Sequence, residues 1–424
     1  MTDRLLVSGG SRLDGTVRIA GAKNSALKLM AATVLADGRS TLRNVPHIQD
    51  CVTMVEVLEH LGVSGVWDDG RLVLDTAGVQ PRETPYELVS RMRASILVLG
   101  PLLARFGTAR VAMPGGCNIG SRAIDLHIRG LEKMGASFSS EHGFLVAETA
   151  GLRGAIVNLD FPSVGATENV LMAAVAARGT TVIENAAREP ELADLAAFLV
   201  EMGAHVEGIG TPTIEIEGVE SFSPVDHTVI PDRVEAGTFA IAACATGGHV
   251  VLAGARADHL DLVLSKLADA GADVLATEEG VAVSMGSRSR CVDLVTLPYP
   301  GFPTDLQPQM MSLLAAAEGT SIVTENVFES RFMFVGELNR MGADIRTEGH
   351  HAVIRGIERL SAAPVRALDI RAGAAMIVAA LTADGVTEIE DVYHVDRGYQ
   401  DLEGKLTALG AVVRRERELS TALS

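Results

Sequence analysis

Apolar and polar residues along the chain form two recurring patterns. In the first, a segment with helical spacing ends in an apolar residue, glycine and a small residue, and a strand-like segment follows; Leu131 to Ala136 is one example. Six glycines occupy this place at intervals of 68 to 73 residues: 62, 135, 203, 271, 342 and 410. A glycine just past a helix end supplies the left-handed conformation that terminates the helix. The pattern therefore predicts six helix ends, each followed by a strand.

The second pattern is an apolar helix of small residues that stops at a glycine before a β-rich segment. Its six glycines are 38, 107, 179, 247, 319 and 385. Each unit of about 70 residues thus reads helix, strand, helix, strand, with a further strand such as Leu72–Leu74 or Ala352–Ile354. Common helix-ending chemistry alone does not explain six near-constant spacings. We expect an α/β protein with two domains of three repeats each.

The composition agrees with a folded protein of several domains. A chain of 424 residues exceeds the size of one ordinary core. Apolar residues make up 47% and charged residues 21%, which excludes long disorder. The net charge of -18 argues against a nucleic-acid partner, and the aromatic share of 4% offers few platforms for stacking bases. An acidic chain that binds anions must concentrate its basic residues locally.

The sequence predicts a cytoplasmic protein that binds no metal. Met1 to Arg4 lacks the apolar core of a signal peptide. Weakly polar helical stretches such as Ala94 to Ala104 fall short of the ~20 residues needed to cross a bilayer, so no membrane association is expected. The four cysteines lie far apart without a Cys-x-x-Cys pair, which argues against a disulfide framework or a zinc site.

The sharpest local feature is the segment from Met113 to Arg122, which reads Met-Pro-Gly-Gly-Cys-Asn-Ile-Gly-Ser-Arg. Proline and paired glycines form a loop that can bring backbone close to a ligand. Cys117 lies in this loop with Arg122 and His127 nearby, and positive neighbours favour the reactive thiolate. A structural cysteine in a turn is the alternative. The remaining three cysteines lie in apolar or strand-like segments and are expected in the core.

Basic residues recur where helices are expected to begin: Lys23, Arg93 and Arg371. A cation at a helix N-terminus opposes the helix dipole, and an anionic ligand would compensate for this. For each residue alone a solvated salt bridge is the simpler interpretation, but the repetition favours a shared anion site. Asp305 also precedes an expected helix, where capping is the simpler interpretation. Further basic candidates are Arg331 and Arg397.

Taken together, these segments resemble the UDP-N-acetylglucosamine enolpyruvyl (1-carboxyvinyl) transferases, from about residue 5 to about residue 412. The motifs that carry the resemblance stand in order: Gly21-Ala22-Lys23-Asn24, Pro114-Gly115-Gly116-Cys117, Phe302-Pro303-Thr304-Asp305, Arg331-Phe332-Met333 and Asp396-Arg397-Gly398-Tyr399. The resemblance implies transfer of the enolpyruvyl group of phosphoenolpyruvate to the 3-hydroxyl of UDP-N-acetylglucosamine with release of phosphate. That reaction is the first committed step of peptidoglycan synthesis. No cofactor, metal, nucleic acid, membrane or obligate protein partner is implied.

The resemblance also implies a fold of two inside-out α/β domains. One domain would span residues 23 to 230 and carry the Cys117 loop, and the other would join 1 to 22 with 231 to 424. The active site would lie in the cleft between them.

Residue roles follow from the same resemblance. Cys117 would be the acid towards the substrate methylene, and so the target of the epoxide fosfomycin, while Asp305 would accept the proton of the sugar hydroxyl. Lys23 and Arg397 are counted with them as catalytic. The cations expected around the substrate phosphates and carboxylate are Lys23, Arg93, Arg122, Arg331, Arg371 and Arg397. The expected sugar-nucleotide contacts are Asn24, Ser163, Val164, Gly165 and Val327. One departure is Phe161, where some relatives carry a lysine near the nucleotide phosphates.

Three other functions remain open from the sequence. The chain could transfer the enolpyruvyl group to shikimate 3-phosphate, although the transferases acting on that acceptor lack the cysteine loop. It could be an inactive paralogue that binds sugar nucleotides, although the catalytic candidates are all present. It could also be a cysteine hydrolase with His127 as the base.

Overall fold

The computed structural model describes residues 3–68, 70–89, 92–113 and 124–417. The strands in these ranges, β1 to β23 in chain order, are Asp3–Ser8, Asp14–Arg18, Arg39–Arg43, Ser64–Asp68, Arg71–Asp75, Thr108–Ala112, Ser137–Glu141, Phe144–Glu148, Ile156–Asn158, Thr180–Glu184, His205–Glu207, Thr213–Glu217, Asp226–Thr228, His249–Ala253, Asp273–Thr277, Gly280–Ser284, Leu294–Val295, Thr320–Thr324, Asp344–Glu348, His351–Arg355, Pro364–Arg366, Val386–Glu390 and Val412–Arg417.

The α-helices in the same ranges, α1 to α14, are Lys23–Ala32, Gln49–His60, Tyr86–Val89, Leu99–Phe106, Asp125–Lys133, Val164–Ala174, Pro190–Glu201, Arg233–Ala245, Asp261–Asp269, Gln307–Ala315, Val335–Arg340, Ile370–Thr382, Tyr393–Asp396 and Leu402–Ala408. Short 3₁₀ helices cover Thr33–Leu35, Arg93–Val98, Ala257–His259 and Arg331–Phe334. Across the described ranges, every helix is too short or too polar to span a lipid bilayer.

The chain forms two compact units. Among the described residues, the first unit contains those up to Ala20 and from Pro231 onward, and the second contains those from Gly21 to Ile230. Each unit has three sheets. In the first unit the strand orders are β21-β22-β1-β23, β15-β16-β14-β2 and β17-β18-β20-β19. In the second unit they are β13-β3-β5-β4, β11-β12-β10-β9 and β6-β8-β7. The six repeats predicted from the glycine spacing are therefore six helix–sheet units, and the predicted α/β class is confirmed.

Long helices fill the interior of each unit, and the sheets lie outside them. All nine residues of α10 are buried, as are 12 of the 13 in α12 and 9 of the 11 in α6. Alanine, leucine and methionine cover these helices on every side, which is the composition of a helix surrounded by protein. One residue in two along the strands faces solvent, and β22 alternates in this way with Val386 57% exposed. This is the inside-out arrangement that the resemblance implies.

The repeats pair the strand before a buried helix with the strand after it. In three repeats these two strands are parallel neighbours: β9 with β10 around α6, β17 with β18 around α10, and β21 with β22 around α12. At α1 and α8 the partners are exchanged. The strand before α1, β2, pairs with β14, and the strand before α8, β13, pairs with β3. Each unit therefore contains one strand that leads into the buried helix of the other unit.

The predicted glycine positions all have the backbone conformation that ends a helix. In the first pattern the six φ angles lie between 91° and 109°, and in the second between 64° and 115°. Residues with a Cβ rarely adopt these angles, whereas glycine adopts them readily. The helix ends predicted by the first pattern are confirmed, because each of its glycines follows directly after the C-cap residue. In the second pattern Gly107 and Gly247 lie at helix ends, whereas the glycines at 38, 179, 319 and 385 lie beyond the helix and directly precede a strand, so the prediction that the helix stops at the glycine is wrong there.

Candidate functional site

In the first unit, the Asp305 carboxylate lies between two arginines. Arg331 Nη2 donates to Asp305 Oδ1 over 2.5 Å, and Arg371 Nη2 donates to Oδ2 over 2.8 Å. Both arginines are buried, with 3% and 5% of their surface exposed, whereas the Asp305 side chain keeps 27%. Charge-assisted hydrogen bonds to both oxygens fix the plane of the carboxylate. The result is an acidic group with a set orientation and one open side.

The helix-capping interpretation of Asp305 is wrong. The N-cap residue of α10 is Leu306 and not Asp305, and Leu306 forms no side-chain cap. The carboxylate faces the arginines because their buried guanidinium groups need a compensating charge.

Arg331 is held in place by the loop that it supports. Its Nε and Nη2 donate to the carbonyl oxygen of Thr304 over 3.2 and 3.1 Å, and its guanidinium lies 5.6 Å from the centre of the Phe328 ring. The buried Glu325 accepts from the backbone N–H groups of Val327 and Phe328 at 2.8 and 3.0 Å and from the Thr304 hydroxyl at 3.0 Å. Sequence reasoning missed Glu325. Its hydrogen bonds to residues 327 and 328 close a local turn, and the asparagine that follows Glu325 could have suggested such a turn.

Arg371 lies in the first turn of α12. Asp369 caps this helix by accepting from the N–H groups of Arg371 and Ala372 at 2.7 and 3.0 Å. Arg371 Nη1 also approaches the hydroxyl of the buried Tyr399 at 3.5 Å. Burial by itself lowers the pKa of Arg371, but the charge of Asp305 acts against it and the pKa is raised overall. Arg371 is therefore a permanent cation in the interior.

Arg397 directly precedes Gly398, which packs against the start of α12. Arg397 is half-buried directly after α13. A Cβ on the following residue, Gly398, would lie 2.3 Å from Ile370 Cγ2 and 3.7 Å from Arg371 Nη1. Glycine is required at 398 because the backbone touches α12 there. The structure thus brings Asp305, Arg331 and Arg371 into contact, and Arg397 directly precedes the glycine that packs against the start of α12.

In the second unit, Lys23 begins α1 as the sequence predicted. Its Nζ donates to Asp50 Oδ2 over 3.1 Å, and both side chains are at most 10% exposed. Asp50 supplies a negative charge that offsets the unfavourable position of a cation at a helix N-terminus. Asn24 is exposed, and the residue before the helix, Ala22, forms no side-chain cap. Sequence reasoning missed Asp50, because no pattern relates it to Lys23.

Ser163, Val164 and Gly165 form the start of α6, and all three are partly exposed. The Ser163 hydroxyl caps the helix by accepting from Ala166 N–H at 3.3 Å. A Cβ on Gly165 would lie 3.0 Å from Cε1 of His127, so the imidazole packs directly against the helix start. Backbone N–H groups at a helix start attract anions.

His127 has a defined tautomer. The Asn169 Oδ1 accepts from Gly100 N–H at 2.8 Å, so its amide nitrogen donates to His127 Nδ1 at 3.0 Å. The neutral imidazole therefore carries its proton on Nε2. Burial, with a smaller effect of the Arg93 charge, lowers the pKa of His127 to about 4. A neutral histidine whose Nδ1 is occupied does not suit the role of a base for a cysteine hydrolase.

Arg93 begins a helix as predicted, but this helix is 3₁₀ over Arg93–Val98 and continues into α4. Cys117 and Arg122 lie outside the described residues. Of the cysteines expected in the core, Cys51 and Cys244 are buried and Cys291 is only half-buried. Burial raises the pKa of the Cys244 thiol to about 12, so it is unreactive. No cluster of three or more His, Cys, Asp or Glu suitable for a metal occurs in the described part of the chain.

Comparison with known proteins shows similarity over nearly the full chain. A family model described as EPSP synthase (3-phosphoshikimate 1-carboxyvinyltransferase) matches residues 7–406. The UDP-N-acetylglucosamine 1-carboxyvinyltransferase 2 of Carboxydothermus hydrogenoformans is 53% identical over 97% of this chain and 99% of its own length. The UDP-N-acetylglucosamine 1-carboxyvinyltransferase of Geotalea daltonii is 48% identical over 98% of this chain and 100% of its own.

Solved structures share the fold. The enolpyruvyl transferase NikO from Streptomyces tendae superposes with a TM-score of 0.87 at 26% identity, covering 98% of this chain and 99% of its own. EPSP synthase from Acinetobacter baumannii gives a TM-score of 0.78 at 18% identity, covering 98% and 100%. These neighbours carry the same inside-out arrangement of helices and sheets.

Proposed function

Since the chain belongs to the enolpyruvyl transferase family, we propose that it transfers the enolpyruvyl group of phosphoenolpyruvate to the 3-hydroxyl of UDP-N-acetylglucosamine and releases phosphate. This is the first committed step of peptidoglycan synthesis. The observation that carries the choice of acceptor is the similarity, at 48 to 53% identity over almost the whole chain, to relatives named for this reaction. The buried thiol of Cys244 is free, which suits a reducing compartment, and we place the enzyme in the cytoplasm.

The reaction needs fixed positive charge. Phosphoenolpyruvate carries up to about three negative charges and the sugar nucleotide about two, so their approach requires several cations in a site of low dielectric constant. We propose that Lys23, Arg93, Arg122, Arg331, Arg371 and Arg397 supply them. Burial of Arg331 and Arg371 supports this role, because a buried guanidinium is already desolvated and oriented before the substrates bind.

The chemistry itself needs an acid and a base. Protonation of the phosphoenolpyruvate methylene makes its neighbouring carbon electrophilic, and the sugar hydroxyl attacks it. The new methyl group then loses a proton to the conjugate base of the acid, and the double bond re-forms as phosphate leaves. We assign the acid to Cys117 by resemblance. We assign the base to Asp305, whose two arginine partners hold the carboxylate while 27% of its surface stays exposed to a ligand. Lys23 and Arg397 complete the proposed catalytic set.

The remaining candidates would orient the sugar nucleotide. We propose that Asn24, Ser163, Val164, Gly165 and Val327 contact it. Asn24 is exposed at the start of α1, and Ser163, Val164 and Gly165 are partly exposed at the start of α6, where the helix dipole favours an anion, which supports the assignment. These residues belong to both units, so the proposal requires both units to act on the same pair of substrates.

Phosphate release tests the function and the acceptor together. Purified protein with phosphoenolpyruvate is expected to release phosphate with UDP-N-acetylglucosamine and not with shikimate 3-phosphate. Release only with shikimate 3-phosphate would select the other acceptor, and release with neither would leave a sugar-nucleotide-binding protein. Prolonged exposure to fosfomycin is expected to add its mass at Cys117 and to abolish the release.

Asp305→Asn tests the proposed base in the same assay. The amide keeps nearly the same shape but cannot accept the proton, so kcat is expected to fall about 10²- to 10⁴-fold, with a smaller change in KM for UDP-N-acetylglucosamine. Asp273→Asn on the exposed end of β15 is the matched control and should retain full activity. Equal kcat values for Asp305→Asn and the wild type would remove Asp305 from the mechanism.

A further inference from the structure

The carboxylate of Asp194, on α7, connects the two ends of the chain segment that forms the second unit. It is buried, with 5% of the residue exposed. Its Oδ2 accepts from the hydroxyl of Ser25 and from the N–H of Ile230, the latter over 3.4 Å. Its Oδ1 lies 3.0 Å from His227 Nε2. One donor from α1 and two from residues 227 to 230 thus converge on one buried carboxylate.

Ser25 places this carboxylate next to proposed catalytic and binding residues. It belongs to the first turn of α1, directly after Lys23 and Asn24, and is fully buried. The start of α1 lacks a side-chain cap, so other contacts must fix it. Besides the contact of Lys23 with Asp50, these include the hydrogen bond from Ala22 N–H to Ile230 C=O at 2.7 Å and the bond from Ser25 to Asp194.

His227 compensates the charge of Asp194. Its Nδ1 lies 2.9 Å from Glu201 Oε2, and its ring meets Phe198 edge-on at 5.5 Å between centroids. Burial acts to lower the pKa of His227, but the hydrogen bonds and charges of Asp194 and Glu201 outweigh it and raise the pKa overall. Only the imidazolium can donate from both nitrogens. The Glu201 side chain is 48% exposed, so the buried member of the pair is Asp194.

We propose that Asp194 is a positioning residue for the transfer reaction. Through Ser25 its carboxylate fixes the first turn of α1, and with it the orientation in which Lys23 and Asn24 meet the sugar nucleotide. The inference rests on the proposed function, because that function gives Lys23 and Asn24 their substrate. Moving a donor away from a buried carboxylate costs much free energy, so the three donors of Asp194 are held tightly. A displacement of about 1 Å at a positioning group is enough to cost up to 10²-fold in rate or affinity.

Ser25→Ala is the decisive variant. It removes one donor to Asp194, leaves Lys23 and Asn24 unchanged, and introduces the best helix former into α1. KM for UDP-N-acetylglucosamine is expected to rise on the order of tenfold, because Lys23 and Asn24 shift by less than the ~1 Å that costs up to about 10²-fold. Calorimetric titration with UDP-N-acetylglucosamine in the absence of phosphoenolpyruvate should show the same loss of affinity.

A double-mutant cycle separates positioning from general stability. Asp194→Ala should raise KM by a similar factor, and adding Ser25→Ala to it should raise KM no further, because both substitutions break the same contact. Glu201→Gln is the control, since it weakens the other carboxylate contact of His227 without touching α1, and its KM should match the wild type.

The outcomes are distinct. A lower thermal midpoint in Asp194→Ala together with wild-type KM in both Asp194→Ala and Ser25→Ala would overturn the inference and leave a purely structural role. A rise in KM for Glu201→Gln equal to that of Ser25→Ala would also overturn it. If the wild-type protein neither binds UDP-N-acetylglucosamine nor releases phosphate with it, the proposed function fails instead.

Discussion

At the residue scale, the environment of His127 makes the stability of the second unit depend on pH. The folded state holds the imidazole neutral down to a pKa of about 4, whereas the unfolded chain takes up the proton near 6.5. Between these values the unfolded state binds more protons, so the free energy of unfolding decreases as the pH falls from 6.5 to 4. The full effect of this one group is about 3 kcal/mol.

His127→Gln tests this dependence by calorimetry at pH 7.5 and 4.5. The variant cannot take up a proton, so its melting temperature should decrease less between the two pH values than that of the wild type. The comparison is between the two decreases, which removes any constant cost of repacking around Asn169. His205→Gln, an exposed histidine on β11 of the same unit, should behave as the wild type. An equal decrease in His127→Gln would contradict the lowered pKa.

Sequence patterns identified several important side chains but not their partners. Asp305 was a candidate because it precedes a helix, yet it bonds to arginines 26 and 66 positions away. Lys23 was a candidate because a cation begins a helix, and its partner Asp50 is 27 positions away. A local pattern shows that a charged residue is unusual for its position, but the fold decides which residue of opposite charge lies beside it. Asp50 was missed because its position is not locally unusual.

At the scale of the element, helix ends were the most predictable feature. The glycines of the first pattern located six of them, because the left-handed conformation is a local requirement that few other residues meet. The exchange of β2 and β13 between the units has no local counterpart in the sequence, since both strands look like the strand before any other buried helix. Pairing across more than 180 positions depends on the whole fold, and the family resemblance implied the division of the chain into domains but not this pairing.

Two glycine substitutions measure how much the helix-ending conformation contributes. Gly203 has a φ of 108°, and the nearest atom to an added Cβ would be Ser221 O at 4.0 Å. Gly203→Ala should therefore cost about 1–2 kcal/mol through backbone conformation and not through a clash. Gly336, in α11, has nothing within 4 Å of an added Cβ. Gly336→Ala should therefore raise the free energy of unfolding by about 0.5–1 kcal/mol.

Differential scanning calorimetry reads both substitutions as shifts of melting temperature. For units of this size a change of 1 kcal/mol corresponds to about 2–4 °C. The shifts should have opposite signs, negative for Gly203→Ala and positive for Gly336→Ala. Two shifts of the same sign would show that side-chain volume, and not the φ angle, decides the effect.

At the scale of the whole molecule, the second unit is built from one continuous stretch of chain. Its core is a single cluster of buried apolar residues whose members run from Ala22 to Val229. Its three sheets pair only strands within that stretch, including β13 with β3. The first unit, in contrast, needs both ends of the chain, because β1 pairs with β22 and β23. Only the second unit has all its strand partners in one segment.

A fragment of residues 21–230 is therefore expected to fold alone. It should show dispersed amide resonances and one cooperative thermal transition, because about 200 residues bury enough apolar surface for an independent domain. A fragment of residues 21–224 is the matched comparison. It lacks β13, His227 and Ile230, so Asp194 loses its countercharge and two of its three donors. This loss should lower the free energy of unfolding by about 3–5 kcal/mol. It should melt well below the longer fragment. If both fragments melted at the same temperature, the contacts of Asp194 with the end of the unit would contribute nothing to its stability, and an unfolded 21–230 fragment would mean that the unit depends on the rest of the chain.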